Sequence, residues 1–324
     1  MTTWLLRRLL QAVLVVLAMT VIVFIGVNVI GDPVEILISP EADQAERVRI
    51  IHNLGLDRPL WLQYGYFLWG ALHGDLGRSF VFNEPALRLI AERMPATMEL
   101  AVSAVLLSIV LGIPLGLYAG LRPNSLLGRS IMAGSILGFS LPSFWVGLML
   151  IMVFAVQLGW LPSTGRGATR ELFGVQWSFL TRDGLAHLAM PALNLALGNI
   201  ALVLRLTRAG VRENLPMDYV KFAHAKGLKP VRVVFVHVMK NILIPIVTVI
   251  GLEFGSIIAF AVVTESVFAW PGMGKLIIDS INVLDRPVIV AYLMMIVLLF
   301  ITINLLVDLL YTVLDPRVRL ESRE

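Results

Sequence analysis

Val102–Leu111 reads VSAVLLSIVL, ten residues that are apolar on nearly every side. A bilayer-spanning β-strand alternates lipid-facing and lumen-facing side chains, so this run has the wrong period for a barrel. A helix satisfies its own backbone and can be apolar all round. Extended in both directions, the run covers Thr97–Ala119, and a hydrocarbon core of ~30 Å needs about 20 helical residues. Five further stretches qualify: Leu9–Ile30, Ile131–Gln157, Leu185–Leu206, Ile242–Val263 and Val288–Leu314. The 324 residues are 58% hydrophobic and 15% charged, against roughly 25% charged in soluble domains. Mean hydropathy is +0.84. The sequence therefore predicts an all-α polytopic membrane protein, one transmembrane domain over 1–324 with six spans.

Arg7 and Arg8 ahead of an apolar run resemble a signal peptide, but the run is long and no small-x-small cleavage site follows. It is expected to be a retained first helix. Basic residues near spans stay cytoplasmic. With both termini inside, 15 of the 26 Lys and Arg and 5 of the 22 Asp and Glu fall on the inner side. Topology thus explains the formal net charge of +4, and no nucleic-acid partner is needed. There is no cysteine, which excludes disulfides, thiolate nucleophiles and zinc knuckles. The five histidines, His52, His73, His187, His224 and His237, show no metal-binding spacing. No carboxylate pair shares a span at helical spacing, which disfavours an intramembrane enzyme.

The external region 31–96 opens on the turn signal Gly31-Asp32-Pro33 and continues into Asp57–Phe80, where one or two short surface helices are expected. Its Trp61, Tyr64, Tyr66 and Trp69 suit either the headgroup level of the membrane or a docking surface for an external partner. The internal loop 205–241 is the most informative segment. Asp218 is expected to cap a helix of eight or nine residues, Gly227 to end it in the left-handed region, and Pro230 to prevent its continuation. Tyr219, Phe222, Ala223 and Lys226 fall near one face by three- and four-residue spacing. Ala223 and Ala225 keep the helix thin. So short a helix is marginal alone in water and must pack against something.

At this loop the chain resembles a known family. Asp218-Tyr219-Val220, Ala223-His224-Ala225-Lys226-Gly227, His237, Asn241 and Pro245 look like the coupling loop of the inner-membrane permease subunits of ABC importers. The resemblance is to the B-type permease of the dipeptide, oligopeptide, glutathione and nickel branch, and it covers nearly the whole chain. Further blocks carry it: Leu54-Gly55-Leu56-Asp57, Gly74-Asp75-Leu76-Gly77, Pro95-Ala96-Thr97-Met98-Glu99-Leu100, Pro142-Ser143-Phe144-Trp145, Gly159-Trp160-Leu161-Pro162, Ala269-Trp270-Pro271-Gly272-Met273-Gly274 and Asp315-Pro316-Arg317. Two positions depart from the pattern. His224 and neighbouring alanines replace Glu-Ala-Ala, and Glu253 stands where a glutamine is expected.

The resemblance implies a type I ABC importer fold and a coupling site of Asp218, Tyr219, Phe222, Ala223, Ala225, Lys226 and Gly227. It implies four partners besides the lipid membrane: a homologous second permease, two cytoplasmic ATPase subunits and an external substrate-binding protein. ATP and Mg would sit on the ATPases, with no cofactor on this chain. The sequence agrees in lacking a phosphate loop: Gly272-Met273-Gly274-Lys275-Leu276 has no glycine at the required spacing and no hydroxyl after the lysine. An ATP-independent secondary transporter is the alternative, since it too needs broken helices and buried carboxylates. Pro114, Pro142, Pro191, Gly198, Pro245, Gly251 and Gly255 are expected to bend spans or let them approach. Glu253 falls at the middle of the fifth span, where a carboxylate faces protein or water rather than lipid. It either lines the translocation path or makes an interhelical contact. Glu99 and Asp308 lie near span ends, within reach of the polar boundary.

Overall fold

The computed structural model describes residues 2–29, 48–49, 51–52 and 57–314. Gly31-Asp32-Pro33, Leu54-Gly55-Leu56 and Asp315-Pro316-Arg317 lie outside these, as does the side chain of Asp308. The chain is mostly helical: α1 Thr2–Val29, α2 Leu60–Leu72, α3 Ala86–Leu121, α4 Leu126–Ser140, α5 Ser143–Leu150 with a π-helical extension Ile151–Gln157, α6 Arg182–Asn214 and α7 Asp218–Ala225. Then come α8 Pro230–Arg232, a π-helical turn Val233–Val238, α9 Met239–Val267, α10 Met273–Asn282 and α11 Arg286–Leu314.

Among the described residues, four helical runs are long and apolar enough to cross a membrane: Ala86–Leu121, Arg182–Asn214, Pro230–Val267 and Arg286–Val307. In α1 the apolar stretch is the shorter Leu10–Gly26. The expected continuous span over 131–157 is not observed. It breaks between α4 and α5, whose axes differ by 109°. Pro142 removes a donor and pushes Leu141 out of the helical region, and Leu141 has φ −82° and ψ 136°. Pro95, Pro114, Pro191 and Pro245 stay inside helices.

The all-α expectation needs a small correction. Arg170–Leu172 and Val175–Trp177 pair as an antiparallel hairpin, labelled β1 and β2. Its two-residue turn, Phe173-Gly174, has φ of +55° and +74°, the primed geometry whose twist matches paired strands. The alternation is too brief to stand out from the apolar background.

The chain divides into two compact units. Unit 1 comprises 1–94 and 275–302. Its core joins Val23 of α1 to Val290 and Met294 of α11, with Phe67 and Leu76 packed against them. Tyr64 of α2 meets Phe24 edge-on at 5.4 Å and shares a 2.8 Å hydrogen bond with Thr20. The aromatic set in α2 is therefore divided: Tyr64 and Phe67 serve the core, whereas Trp61, Tyr66 and Trp69 face outward.

Unit 2 comprises 95–274 and 303–324. In it Gly112, Gly116 and Gly120 put one bare face of α3 against α6. A Cβ at Gly116 would lie 2.5 Å from the Leu204 carbonyl oxygen and 2.7 Å from Thr207 Cβ. Backbones this close gain dispersion contacts that lipid tails do not replace. Gly198, expected to permit such an approach, has open space beside it. Gly251 meets Val307 of α11.

Candidate functional site

α7 is built as the sequence predicts at its end and differently at its start. Met217 adopts an extended conformation ahead of the helix, with no side-chain cap. Asp218 is the first helical residue, so it does not cap; its carboxylate accepts from Lys221 Nζ at 2.9 Å and still favours the positive end of the helix. At the other end Gly227 has φ +74°. Its N–H donates to the His224 carbonyl at 2.9 Å and that of Leu228 to Ala223 at 3.3 Å, the paired bonds of a Schellman cap. Pro230 does not simply stop a helix; it starts α8, where its missing N–H costs nothing.

What α7 packs against is its own bundle. Val220 and Ala223 are 1% and 5% exposed and join Val211, Val233, Val238 and Ile242 in one apolar cluster. Full burial of a valine contributes about 1.5–3 kcal/mol, enough to fix a helix too short to persist alone. Ala223 therefore turns inward, away from the outward face that the spacing assigned to it. Asp218, Tyr219, Phe222, Ala225, Lys226 and Gly227 remain exposed. Phe222 is 62% exposed, with Lys226 Nζ 4.5 Å from its ring centre. Tyr219 Oη donates to Asn214 Oδ1 at 2.7 Å, tying α7 to the end of α6. The result is a short knob with an apolar ring at its tip and a rigid base.

Glu253 lies on α9 and lines a small recess with Ser108 of α3, Asn199 of α6 and the apolar Val105, Leu202, Val203, Val249, Ile250 and Ile257. Glu99 is buried rather than resting at a polar boundary: Arg166 Nη2 donates to it at 2.7 Å, and the N–H groups of Ser178 and Phe179 at 2.7 and 2.9 Å. It fastens the segment that carries the hairpin onto α3. Glu265 is fully buried and accepts from Thr97 Oγ1 at 2.6 Å. Thr97 in turn accepts from the Met273 N–H at 2.8 Å. The Trp-Pro-Gly-Met-Gly block wraps this pair: a Cβ at Gly272 would collide with the Glu265 carboxylate, and Trp270 Nε1 donates to the Ala96 carbonyl at 2.9 Å. In unit 1, Asp285 accepts from Ser79 Oγ and from the Phe80 N–H. The partners of these acids are 67 to 206 residues away, so nothing local marked them. Among the described residues no cluster of His, Asp and Glu forms a metal site.

Residues 112–320 match the family model described as binding-protein-dependent transport system inner membrane component, and residues 1–101 match the model of its N-terminal region. The chain belongs to this family. The permease is 36% identical over 338 residues to the dipeptide transport system permease protein DppB of Escherichia coli (strain K12), covering 98% of this chain and 99% of that one. It is 38% identical over 335 residues to the di/tripeptide transport system permease protein DppB of Pseudomonas aeruginosa (strain UCBPP-PA14), covering 98% and 99%. Its fold is shared with a chain of the MetNI methionine ABC transporter in an inward-facing conformation, at a TM-score of 0.56 and 17% identity over 70% of this chain and 96% of that one. The permease is a multi-pass protein of the inner membrane.

Proposed function

We propose that this permease imports peptides as one subunit of an ATP-driven complex with a second, homologous permease, two cytoplasmic ATPase subunits and an external binding protein. The near full-length identity to di- and oligopeptide permeases carries the substrate class. In this reading α1, α3, the bent α4–α5 pair, α6, α9 and α11 make six crossings with both termini cytoplasmic, and the whole chain forms one permease domain. ATP and Mg belong to the ATPases. This chain holds no cofactor.

The knob at α7 is the coupling site. Phe222 and Tyr219 enter an apolar groove on an ATPase, with Asp218, Ala225, Lys226 and Gly227 around them. Val220 and Ala223 carry the push into α6 and α9. Because its base is packed and its cap is fixed, a displacement of the knob moves the spans rather than bending the loop, and so biases the bundle between inward-open and outward-open packings. Glu253 lines the path that opens and closes.

The test is reconstitution of the four-part complex in liposomes with the binding protein, screening peptides for stimulated ATP hydrolysis and uptake. Peptide accumulation that requires ATP is expected. Accumulation by the permease without ATPases or ATP overturns this reading in favour of a secondary transporter. Gly227→Val forces a β-branched residue into the left-handed region, at a cost of about 1–3 kcal/mol. It is expected to leave the permease in the membrane while uncoupling hydrolysis from uptake; Gly227→Asn, which tolerates that region, retains coupling.

A further inference from the structure

Within unit 2 the buried acids Glu99 and Glu265 are met by donors from the protein. Glu253 is different. It sits within the helical run Pro230–Val267, is only partly shielded, and none of the residues lining its recess is basic. A carboxylate within an apolar span is costly unless a cation or proton meets it. Two neutral oxygen-bearing side chains share the recess. Asn199, which is partly exposed, carries an amide oxygen, whereas Ser108 is buried and donates its hydroxyl proton to the Ala104 carbonyl at 2.8 Å. The recess takes about one water-sized group, and Glu253 and Asn199 are its partly exposed polar side chains. Apolar walls surround it on the other sides.

We propose that Glu253, with Asn199 beside it, forms a subsite for one primary ammonium group of the transported solute. An ammonium is a compact cation with three donors, and a carboxylate with a neutral amide oxygen on the same wall suits it. A guanidinium is planar and larger, and suits the recess less well. The assignment rests on the peptide reading above, in which each free α-amino group is largely protonated at neutral pH. The apolar walls strengthen the pairing while the group is held. Movement of α9 against α3 and α6 then widens the recess and releases it.

The experiment uses the assembled complex in lipid nanodiscs. A hydrophobic carbodiimide, which modifies carboxyl groups in apolar surroundings, is added with and without alanyl-alanine, and mass spectrometry follows the Glu253 peptide. Excess alanyl-alanine is expected to slow labelling roughly tenfold, and N-acetyl-alanyl-alanine to leave it within about twofold. Equal protection by both, protection by neither, or no labelling of Glu253 in the free complex overturns the proposal. A carboxyl that titrates without meeting an ammonium gives the second of these outcomes. In the transport assay Glu253→Gln is expected to lower uptake of sub-saturating alanyl-alanine about tenfold, the scale of one charged hydrogen bond. Unchanged uptake overturns the subsite. A wild-type complex that imports no peptide overturns the peptide reading instead, and the labelling result still decides the ammonium site.

Discussion

Glu99→Ala is expected to destabilise the permease by about 3–5 kcal/mol, the range found when one partner of a buried ion pair is removed. The Glu99 side chain is 1% exposed and that of Arg166 14%. The alanine leaves a nearly buried guanidinium without its counter-charge and strips the Ser178 and Phe179 N–H groups of their acceptor. Thermal unfolding of the purified protein reads the loss. Limited proteolysis reads its location, since the segment 165–181 is released from α3 and becomes a cleavage site. Arg166→Ala alone is also costly, but the double variant loses less than the sum, because no isolated charge remains buried. A double-mutant cycle with no coupling between the two positions contradicts the pairing.

The second large effect is steric. Gly116→Val sets two methyl groups where the α6 backbone already occupies the space. Neither helix has a soft side chain there to yield, so α3 and α6 separate along the whole line from Gly112 to Gly120. A loss of about 3 kcal/mol is expected, at the upper end for overpacked sites. Gly134 and Gly138 of α4 are the controls. Both have open space beside them, and alanine there is neutral or improves the helix by up to about 1 kcal/mol. Similar melting of Gly116→Val and Gly134→Ala proteins would show that the α3–α6 approach is not as close as described.

Much of this was legible before any coordinates. The helical class follows from apolar runs whose length is dictated by the thickness of the bilayer. α7 was legible because its cap is local: Gly227 and Leu228 bond to carbonyls three and five residues back. The close approach of α3 was also written in the sequence, as glycines four residues apart at 112, 116 and 120. Of the glycines expected to allow close approach, Gly251 meets Val307 while Gly198 has open space beside it.

Other features were not legible, for two different reasons. At Asp218 the difference is a shift of one residue: the chain enters the helix from Met217, which offers no cap, and Asp218 stands in the first turn, where its charge favours the helix dipole. Helical spacing puts Ala223 near Phe222 and Lys226, on the outward face. Only the apolar ends of α6 and α9 decide that Val220 and Ala223 are the buried pair.

The amino-acid sequence by itself determined that the chain is helical and lives in a membrane, and where the short helix α7 ends, since hydrophobic length and left-handed glycine caps depend on near neighbours. Tertiary structure alone decided which carboxylates are fastened by donors from distant segments. Nothing near Glu99 or Glu265 along the chain names their partners, and a buried charge is satisfied or not according to what distant segments bring within about 3 Å.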